Sequence, residues 1–183
     1  PSGRAYQLEL LDSVAGNFNG VLVIDEAYAD FAQQNAIPLL AKYPNVIITR
    51  TLSKSYSLAG LRVGYAMGNP SVIQVLDRAR EVYNLDRIAQ AIAQAALEDQ
   101  KYFKETKQKI IESRIWISDI FAEWGWRMIP SATNFIFCKP LDHSGTGGPQ
   151  IANSLYSFLS TQGILVRYFP QNKLTESYIR ISI

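Results

Sequence analysis

The stretch that most constrains this chain is Asn45–Gly68, which reads NVIITRTLSKSYSLAGLRVGYAMG. The apolar run at 46–48 has the composition of a buried β-strand and leads the chain towards Lys54. A lysine amine that is shielded from water can form an imine with a carbonyl compound, and the guanidinium of Arg62 offers a bidentate fork for a phosphate. Hydroxyl groups that would also suit a phosphate flank the lysine: Thr49, Thr51, Ser53, Ser55 and Ser57. Lys54 considered alone would fit a solvated polar loop better than a reactive site.

A second motif lies upstream, where an apolar strand at 21–25 ends in Asp25 and is soon followed by Tyr28. In open parallel sheets, ligands bind beyond the carboxyl ends of the strands. We therefore expect Asp25, Tyr28 and Lys54 to face one crevice. A carboxylate for a protonated ring nitrogen, a phenol for a ring oxygen and an imine-forming lysine together predict a pyridoxal phosphate site.

The two motifs, IDEAY at 24–28 and TLSKSYSLAGLRVGY at 51–65, resemble those of the fold-type I pyridoxal-phosphate-dependent aminotransferases, most closely the histidinol-phosphate aminotransferases. The resemblance extends over nearly the whole chain. It implies an α/β fold in which residues 1–98 form the C-terminal half of a three-layer α/β/α large domain. Residues 99–183 would then form an interdomain helix and a small α+β domain.

The same resemblance implies a role for each site residue. Lys54 would be the catalytic residue, which binds the cofactor covalently and afterwards acts as the general base. Asp25 would keep the pyridine nitrogen protonated, and Tyr28 would bind the neighbouring ring oxygen; the alternatives are a turn carboxylate and a packed core tyrosine. Three more side chains would complete the cofactor ligands on this chain, with hydroxyls and a guanidinium for the phosphate: Thr51, Ser53 and Arg62.

Two arginines near the end of the chain are candidates for substrate binding. Arg180, in YIRISI, is similar to a family arginine that takes the substrate carboxylate, and an arginine on an apolar strand is unfavourable without an anionic partner. Arg167, in GILVRYF, resembles a second family arginine that binds the phosphate of histidinol phosphate or the distal carboxylate of glutamate. The alternative for Arg167 is a surface residue paired with Glu176.

The amino-acid composition excludes several classes of binding partner. The 18 basic and 16 acidic residues nearly balance, which argues against nucleic acid and acidic membrane surfaces as partners. A single cysteine, Cys138, excludes an internal disulfide and favours a reducing cytoplasm. One cysteine and one histidine, His143, cannot make a conventional zinc site, so no metal is expected. The expected partners are amino acid and 2-oxo acid substrates and, by the resemblance, the second subunit of a homodimer.

Periodicity and capping signals predict the order of elements. Helices are expected at 7–14, from Asn69-Pro70 to about 80, and at 86–97, 100–124 and 151–162. Strands are expected at 21–25, 46–49, 61–67, within 126–139, at 164–169 and at 178–183. The β/α alternation of the first part predicts a piece of a doubly wound sheet, in which an apolar strand such as 21–25 is covered on both faces.

The function implied by the resemblance is transamination, converting histidinol phosphate and 2-oxoglutarate to imidazole acetol phosphate and glutamate. A phospho-amino-acid decarboxylase or an aromatic aminotransferase would share nearly every motif, and the effector domain of a transcriptional regulator is an alternative from another class. The chain resembles the middle and C-terminal part of family members. The family's ring-stacking aromatic and phosphate-binding amides come before that part, so we expect the 183-residue chain alone to bind the cofactor weakly and to be inactive.

Overall fold

The computed structural model describes residues 2–183, which divide into two compact units. Residues 5–107 form the N-terminal unit, and residues 108–183 together with 2–4 form the C-terminal unit. The division falls within one long helix, Gln100–Glu123. The domain boundary that the sequence suggests at 98/99 stays a prediction.

The N-terminal unit contains three helices and three strands. The helices are α1 (Leu8–Asn17), α2 (Pro70–Ala79) and α3 (Arg87–Glu98), and the strands are β1 (Leu22–Asp25), β2 (Val46–Thr51) and β3 (Gly64–Gly68). Short 3-10 helices lie at Ala29–Phe31, Ile37–Ala41 and Ala59–Leu61. Helix α2 begins where the sequence predicts, because the Asn69 side chain accepts a hydrogen bond from the Ser71 backbone N–H at 3.0 Å and Pro70 occupies the first turn.

The sheet of this unit has the order β1-β2-β3. Strands β1 and β2 are parallel, with Asp25 opposite Thr49, so their carboxyl ends lie at the same edge as predicted. Strand β3 runs antiparallel to β2. The connection at 52–63 holds only a 3-10 turn, and a parallel return would require a longer crossover, usually a helix.

Strand β1 differs from the prediction in its burial. Leu22 and Ile24 pack with α1 against a core that contains Val46 and Ile48. Side chains alternate along a strand, so Val23 points to the opposite face, where it is 56% exposed. The prediction that this strand is covered on both faces is therefore wrong within the described residues.

The C-terminal unit contains most of the long helix α4 (Gln100–Glu123) and a four-stranded antiparallel sheet. Gly125, with φ +76°, follows the end of α4 as predicted. The sheet has the order β4-β5-β7-β6, and helix α5 precedes β6 in the chain. The bounds are Arg127–Ile129 for β4, Phe135–Lys139 for β5, Pro149–Thr161 for α5, Arg167–Tyr168 for β6 and Ile179–Ser182 for β7.

One face of this sheet forms the core of the C-terminal unit. Ile136, Cys138 and Ile179 are fully buried there and pack with residues of α4 and α5. The Cys138 thiol contacts the Ile179 carbonyl oxygen at 3.7 Å, and burial raises the thiol pKa to about 12. This confirms that Cys138 is buried, and its thiol stays protonated at neutral pH.

Within residues 2–183, none of the helices combines the length and the apolarity that crossing a membrane requires. Over the same range, no group of three or more His, Cys, Asp or Glu side chains is placed to hold a metal ion.

Candidate active site

The segment at 52–63, which we call the lysine loop, connects β2 to β3 and folds back on itself. Leu52 is buried, its backbone N–H donates to the Val63 carbonyl at 3.1 Å, and its carbonyl accepts from the Leu58 N–H at 3.0 Å. The Tyr56 ring stacks on Phe103 with centroids 4.3 Å apart. The lysine loop is therefore packed against the rest of the N-terminal unit and is not a solvated polar loop.

Lys54 is half-buried in this loop. Its Nζ lies 5.4 Å from the centroid of the Tyr28 ring, so the structure brings these two predicted site residues together. Among residues 2–183 the amine has no ion pair and no hydrogen bond. An amine without a competing partner is suited to react with a carbonyl carbon.

Asp25 ends β1, the neighbour of the strand that leads to Lys54. Its Oδ1 accepts a hydrogen bond from the Ala27 backbone N–H at 2.9 Å, which is the turn role weighed as an alternative. That role engages one carboxylate oxygen, and the residue remains exposed. The turn therefore orients the carboxylate without using all of its acceptor capacity.

The hydroxyl groups around the lysine divide into two sets. The Thr51 hydroxyl donates to Ser53 Oγ at 2.9 Å, and both residues are half-buried. Ser55 instead donates its hydroxyl to Asp30 Oδ2 and is only 3% exposed. Ser53 can donate its hydroxyl to an anion, and Thr51 can do so only by giving up its present hydrogen bonds to Ser53 Oγ and the Val63 carbonyl. The expectation that the Ser55 hydroxyl also serves an anion is wrong, because it is buried and directed to Asp30.

Arg62 ends the lysine loop in a strained conformation. It has φ 58° and ψ 37°, the left-handed region that residues other than glycine seldom adopt. Its Nη1 donates to the Ala59 carbonyl at 2.9 Å, and the residue is otherwise exposed. Strain of this kind is found mainly at functional sites, and the guanidinium retains further N–H donors for a phosphate.

The two substrate arginines of the prediction lie in the other unit, on the second face of its sheet. Arg167 and Arg180 are directly opposite each other on β6 and β7, so both side chains are on one face. The Arg180 guanidinium lies 4.9 Å from the ring centroid of Phe135 and 5.7 Å from that of Phe169. Its Nε is buried and has no hydrogen-bond partner within residues 2–183. Over the same range Arg167 is exposed and makes no ion pair with Glu176.

The side chains of the N-terminal unit fit pyridoxal phosphate in chemical type. They offer an amine for an aldehyde, a carboxylate for a ring nitrogen, a phenol for a ring oxygen, and two hydroxyls and a guanidinium for a phosphate. They come from the carboxyl ends of two parallel strands and from the loop that follows.

Sequence reasoning did not predict the ion pairs by which Arg50 connects these segments. Arg50 donates to Glu26 Oε2 from Nε at 3.0 Å and from Nη2 at 2.7 Å, and its Nη1 lies 3.6 Å from Asp30 Oδ1. The available signal was a charged residue at the end of an apolar strand, with two acids four residues apart after the preceding strand.

Solved structures with the same fold define the class of the protein. This chain is similar to histidinol-phosphate aminotransferase from Sinorhizobium meliloti, crystallised in complex with pyridoxal-5'-phosphate, with a TM-score of 0.86 and 35% identity over 100% of this chain and 50% of that one. The histidinol-phosphate aminotransferase from Clostridium acetobutylicum shares the fold, with a TM-score of 0.84 and 21% identity over 100% of this chain and 56% of that chain. The fold is that of fold-type I pyridoxal-phosphate-dependent aminotransferases, which confirms the predicted α/β class.

The chain belongs to the aminotransferase class I and II family, which matches residues 1–183. Curated histidinol-phosphate aminotransferases from Geobacter sp. (strain M21) and Microcystis aeruginosa (strain NIES-843 / IAM M-2473) are 46% and 42% identical to it over 100% of this chain. The family resemblance seen in the sequence is thus confirmed. The chain spans about half the length of these relatives, 50% of each.

Proposed function

We propose that the protein carrying this chain is a pyridoxal-phosphate-dependent histidinol-phosphate aminotransferase of histidine biosynthesis. The observation that carries the proposal is the Lys54 amine, which has no ion pair or hydrogen bond within residues 2–183 and lies over Tyr28 beside the carboxyl ends of two parallel strands. The substrates would be histidinol phosphate and 2-oxoglutarate, as the names of the similar proteins suggest. The protein would work in the cytoplasm as a homodimer.

In this proposal the cofactor, when bound, supplies an electron-withdrawing ring that stabilises negative charge on the substrate carbon. The chain's own residues do the rest. Lys54 Nζ would hold the cofactor covalently and, once released, would take the proton from the α-carbon of the substrate and pass it to the former aldehyde carbon of the cofactor. Asp25 keeps a proton on the ring nitrogen, and Tyr28 binds the ring oxygen. The phosphate is held by Thr51, Ser53 and Arg62.

Two arginines would select the substrate. Arg180 would bind the group that all substrates share, because its Nε has no hydrogen-bond partner within residues 2–183 and its guanidinium lies over the Phe135 ring, which pre-organises it for an oxygen acceptor. Arg167, opposite it on β6, would bind the second anionic end: the phosphate of histidinol phosphate or the distal carboxylate of glutamate.

Chemical trapping tests the proposal directly. Borohydride reduction of the full-length protein with bound pyridoxal phosphate should fix a pyridoxyl group on the peptide that contains Lys54. Lys54→Ala should lose the label and lower turnover by about 10²–10⁴-fold, the range for a general acid–base group. Lys42→Ala, which removes an exposed lysine of the same unit, serves as the matched control. A label on another lysine would exclude Lys54 as the cofactor-binding residue. Release of carbon dioxide from the substrate would indicate that the protein is a decarboxylase and not an aminotransferase.

A further inference from the structure

Four side chains form one polar chain between the segment that follows β1 and the lysine loop. Glu26 accepts from Arg50, Arg50 lies against Asp30, and Asp30 accepts from the Ser55 hydroxyl. Glu26 Oε1 also accepts from the Ala36 backbone N–H. Every charged group in this set therefore has a partner of opposite charge or a hydrogen-bond donor.

These side chains are shielded from solvent. The exposed fraction of the side chain is 7% for Glu26, 15% for Arg50 and 24% for Asp30. Burial works to lower the pKa of Arg50, but the hydrogen bonds and charge of Glu26, with a smaller effect of Tyr65, raise it above its usual value. The guanidinium is a permanent cation here, and shielded ion pairs with several hydrogen bonds hold a defined geometry.

The set connects the segments that carry the proposed cofactor groups. Ser55 directly follows Lys54, and Asp30 lies two residues after Tyr28. Since the Lys54 amine has no hydrogen bond of its own within residues 2–183, its place over the Tyr28 ring depends on the backbone that holds it. The Ser55–Asp30 hydrogen bond is the side-chain contact that links this backbone to the 3-10 helix at Ala29–Phe31, which Tyr28 precedes.

We propose that Asp30 and Ser55 are positioning residues that hold Lys54 in register with Tyr28 and Asp25. Arg50 and Glu26 fix Asp30 in turn. The inference rests on the proposed function, because the position of the amine matters for a cofactor bound there. Neither residue touches the reacting atoms in this assignment, and both act through the backbone on either side of Lys54.

The alternative is that the same contacts only stabilise the fold. A purely structural role would change the melting temperature and leave the bound cofactor as it is. A positioning role would alter the cofactor's own signals. Visible circular dichroism per bound cofactor reports the orientation of its ring, and the rate of cofactor release reports how well the linkage to the lysine is held.

The experiment uses the full-length protein loaded with pyridoxal 5'-phosphate and three variants: Ser55→Ala, Asp30→Ala and Asp30→Asn. Ser13→Ala and Asp12→Asn are the matched controls, since both change exposed or partly exposed polar residues of α1 outside the set. Asp30→Asn retains an oxygen that can accept from Ser55, so it should rescue part of the effect. A double variant, Ser55→Ala with Asp30→Ala, tests whether the two residues act through one contact.

We expect Ser55→Ala and Asp30→Ala each to raise the rate of cofactor release about tenfold, the size expected for losing a hydrogen bond to a charged acceptor. Their visible circular dichroism should also change, with a smaller effect in Asp30→Asn. The double variant should be no worse than the poorer single variant. Unchanged release and circular dichroism in the single variants, with or without a lower melting temperature, would overturn the inference while leaving the proposed function intact. Failure of the unsubstituted protein to bind the cofactor at all would instead overturn both.

Discussion

Arg50 and Arg180 are both partly shielded arginines on β-strands, one in each unit, and their surroundings are opposite. Arg50 donates two hydrogen bonds to Glu26 and lies against a second carboxylate, Asp30. Arg180 lies against the rings of Phe135 and Phe169, and its Nε has no partner within the described residues. Buried polar groups are nearly always satisfied, so this difference supports the proposal that Arg50 holds the fold whereas Arg180 binds a ligand.

The largest effect in this comparison is expected from Arg50→Met. It would leave Glu26, whose side chain is 7% exposed, without its cation, and breaking a buried pair costs about 3–5 kcal/mol of the free energy of unfolding. Arg80→Met, which breaks an exposed pair with Asp77, should cost at most about 1 kcal/mol. Urea denaturation of the cofactor-free full-length protein measures both, because bound cofactor would shift the apparent stability.

Adding Glu26→Gln to Arg50→Met should restore part of the loss, since it removes the unpaired charge and keeps an oxygen for the Ala36 N–H. If Arg50→Met lowered the free energy of unfolding no more than Arg80→Met does, the conclusion that Arg50 stabilises the fold would be wrong.

The next effect is expected from Arg180→Ala. Losing charge-assisted hydrogen bonds to a substrate carboxylate should lower kcat/KM about 100-fold for every amino acid substrate, because about 1.5–3 kcal/mol is lost for each bond. The free energy of unfolding should fall by only about 1–2 kcal/mol, since the variant removes an N–H without a partner within residues 2–183 and the contacts of the guanidinium with the Phe135 and Phe169 rings. Arg180→Lys keeps the charge but loses the planar fork, and it should recover only part of the rate.

Steady-state kinetics with several amino acids and a melting curve test this expectation together. A large loss of stability with unchanged kcat/KM would show that Arg180, like Arg50, belongs to the scaffold.

The smallest effect is expected from Arg167→Gln, which tests whether Arg167 and Arg180, both in the C-terminal unit, have different roles. Arg167 is exposed, so one lost contact should lower kcat/KM about tenfold, and only for substrates with a phosphate or a distal carboxylate. Arg127→Gln, on the exposed part of β4, is the control. If Arg167→Gln lowered kcat/KM equally for substrates with and without a second anionic group, Arg167 and Arg180 would not bind different anionic groups of the substrate as proposed.

Local signals made much of the secondary structure predictable. Asn69 and Pro70 mark the start of α2, and Gly125 adopts the left-handed conformation that follows the end of α4. Apolar runs located β1 and β2, and the rule for parallel sheets placed Asp25 and Lys54 at neighbouring strand ends. The antiparallel direction of β3 was not predicted, because it depends on the path of the lysine loop. Strand β6 is shorter than predicted because its pairing with β7 is limited to Arg167 and Tyr168, and Leu165 before it is 88% exposed.

The charged set around Arg50 lay beyond sequence reasoning for a different reason. Its side-chain contacts join residues that are 20 to 25 positions apart: Arg50 with Asp30, Arg50 with Glu26, and Ser55 with Asp30. No periodicity or capping rule indicates such pairs. Ser55 is the clearest case: its hydroxyl has the right type and place in sequence for a phosphate, and only the fold shows that it is directed to Asp30.

The burial of Cys138 makes this chain convenient for spectroscopy. It is the single cysteine of the 183 residues and has 0% exposure, so thiol-directed dyes should not reach it in the folded protein. Gly60, in the lysine loop, has open space where a side chain would begin and does not need a positive φ. A cysteine introduced there should take up a fluorophore selectively, which would place a reporter six residues from Lys54 without first having to remove a native thiol from these 183 residues.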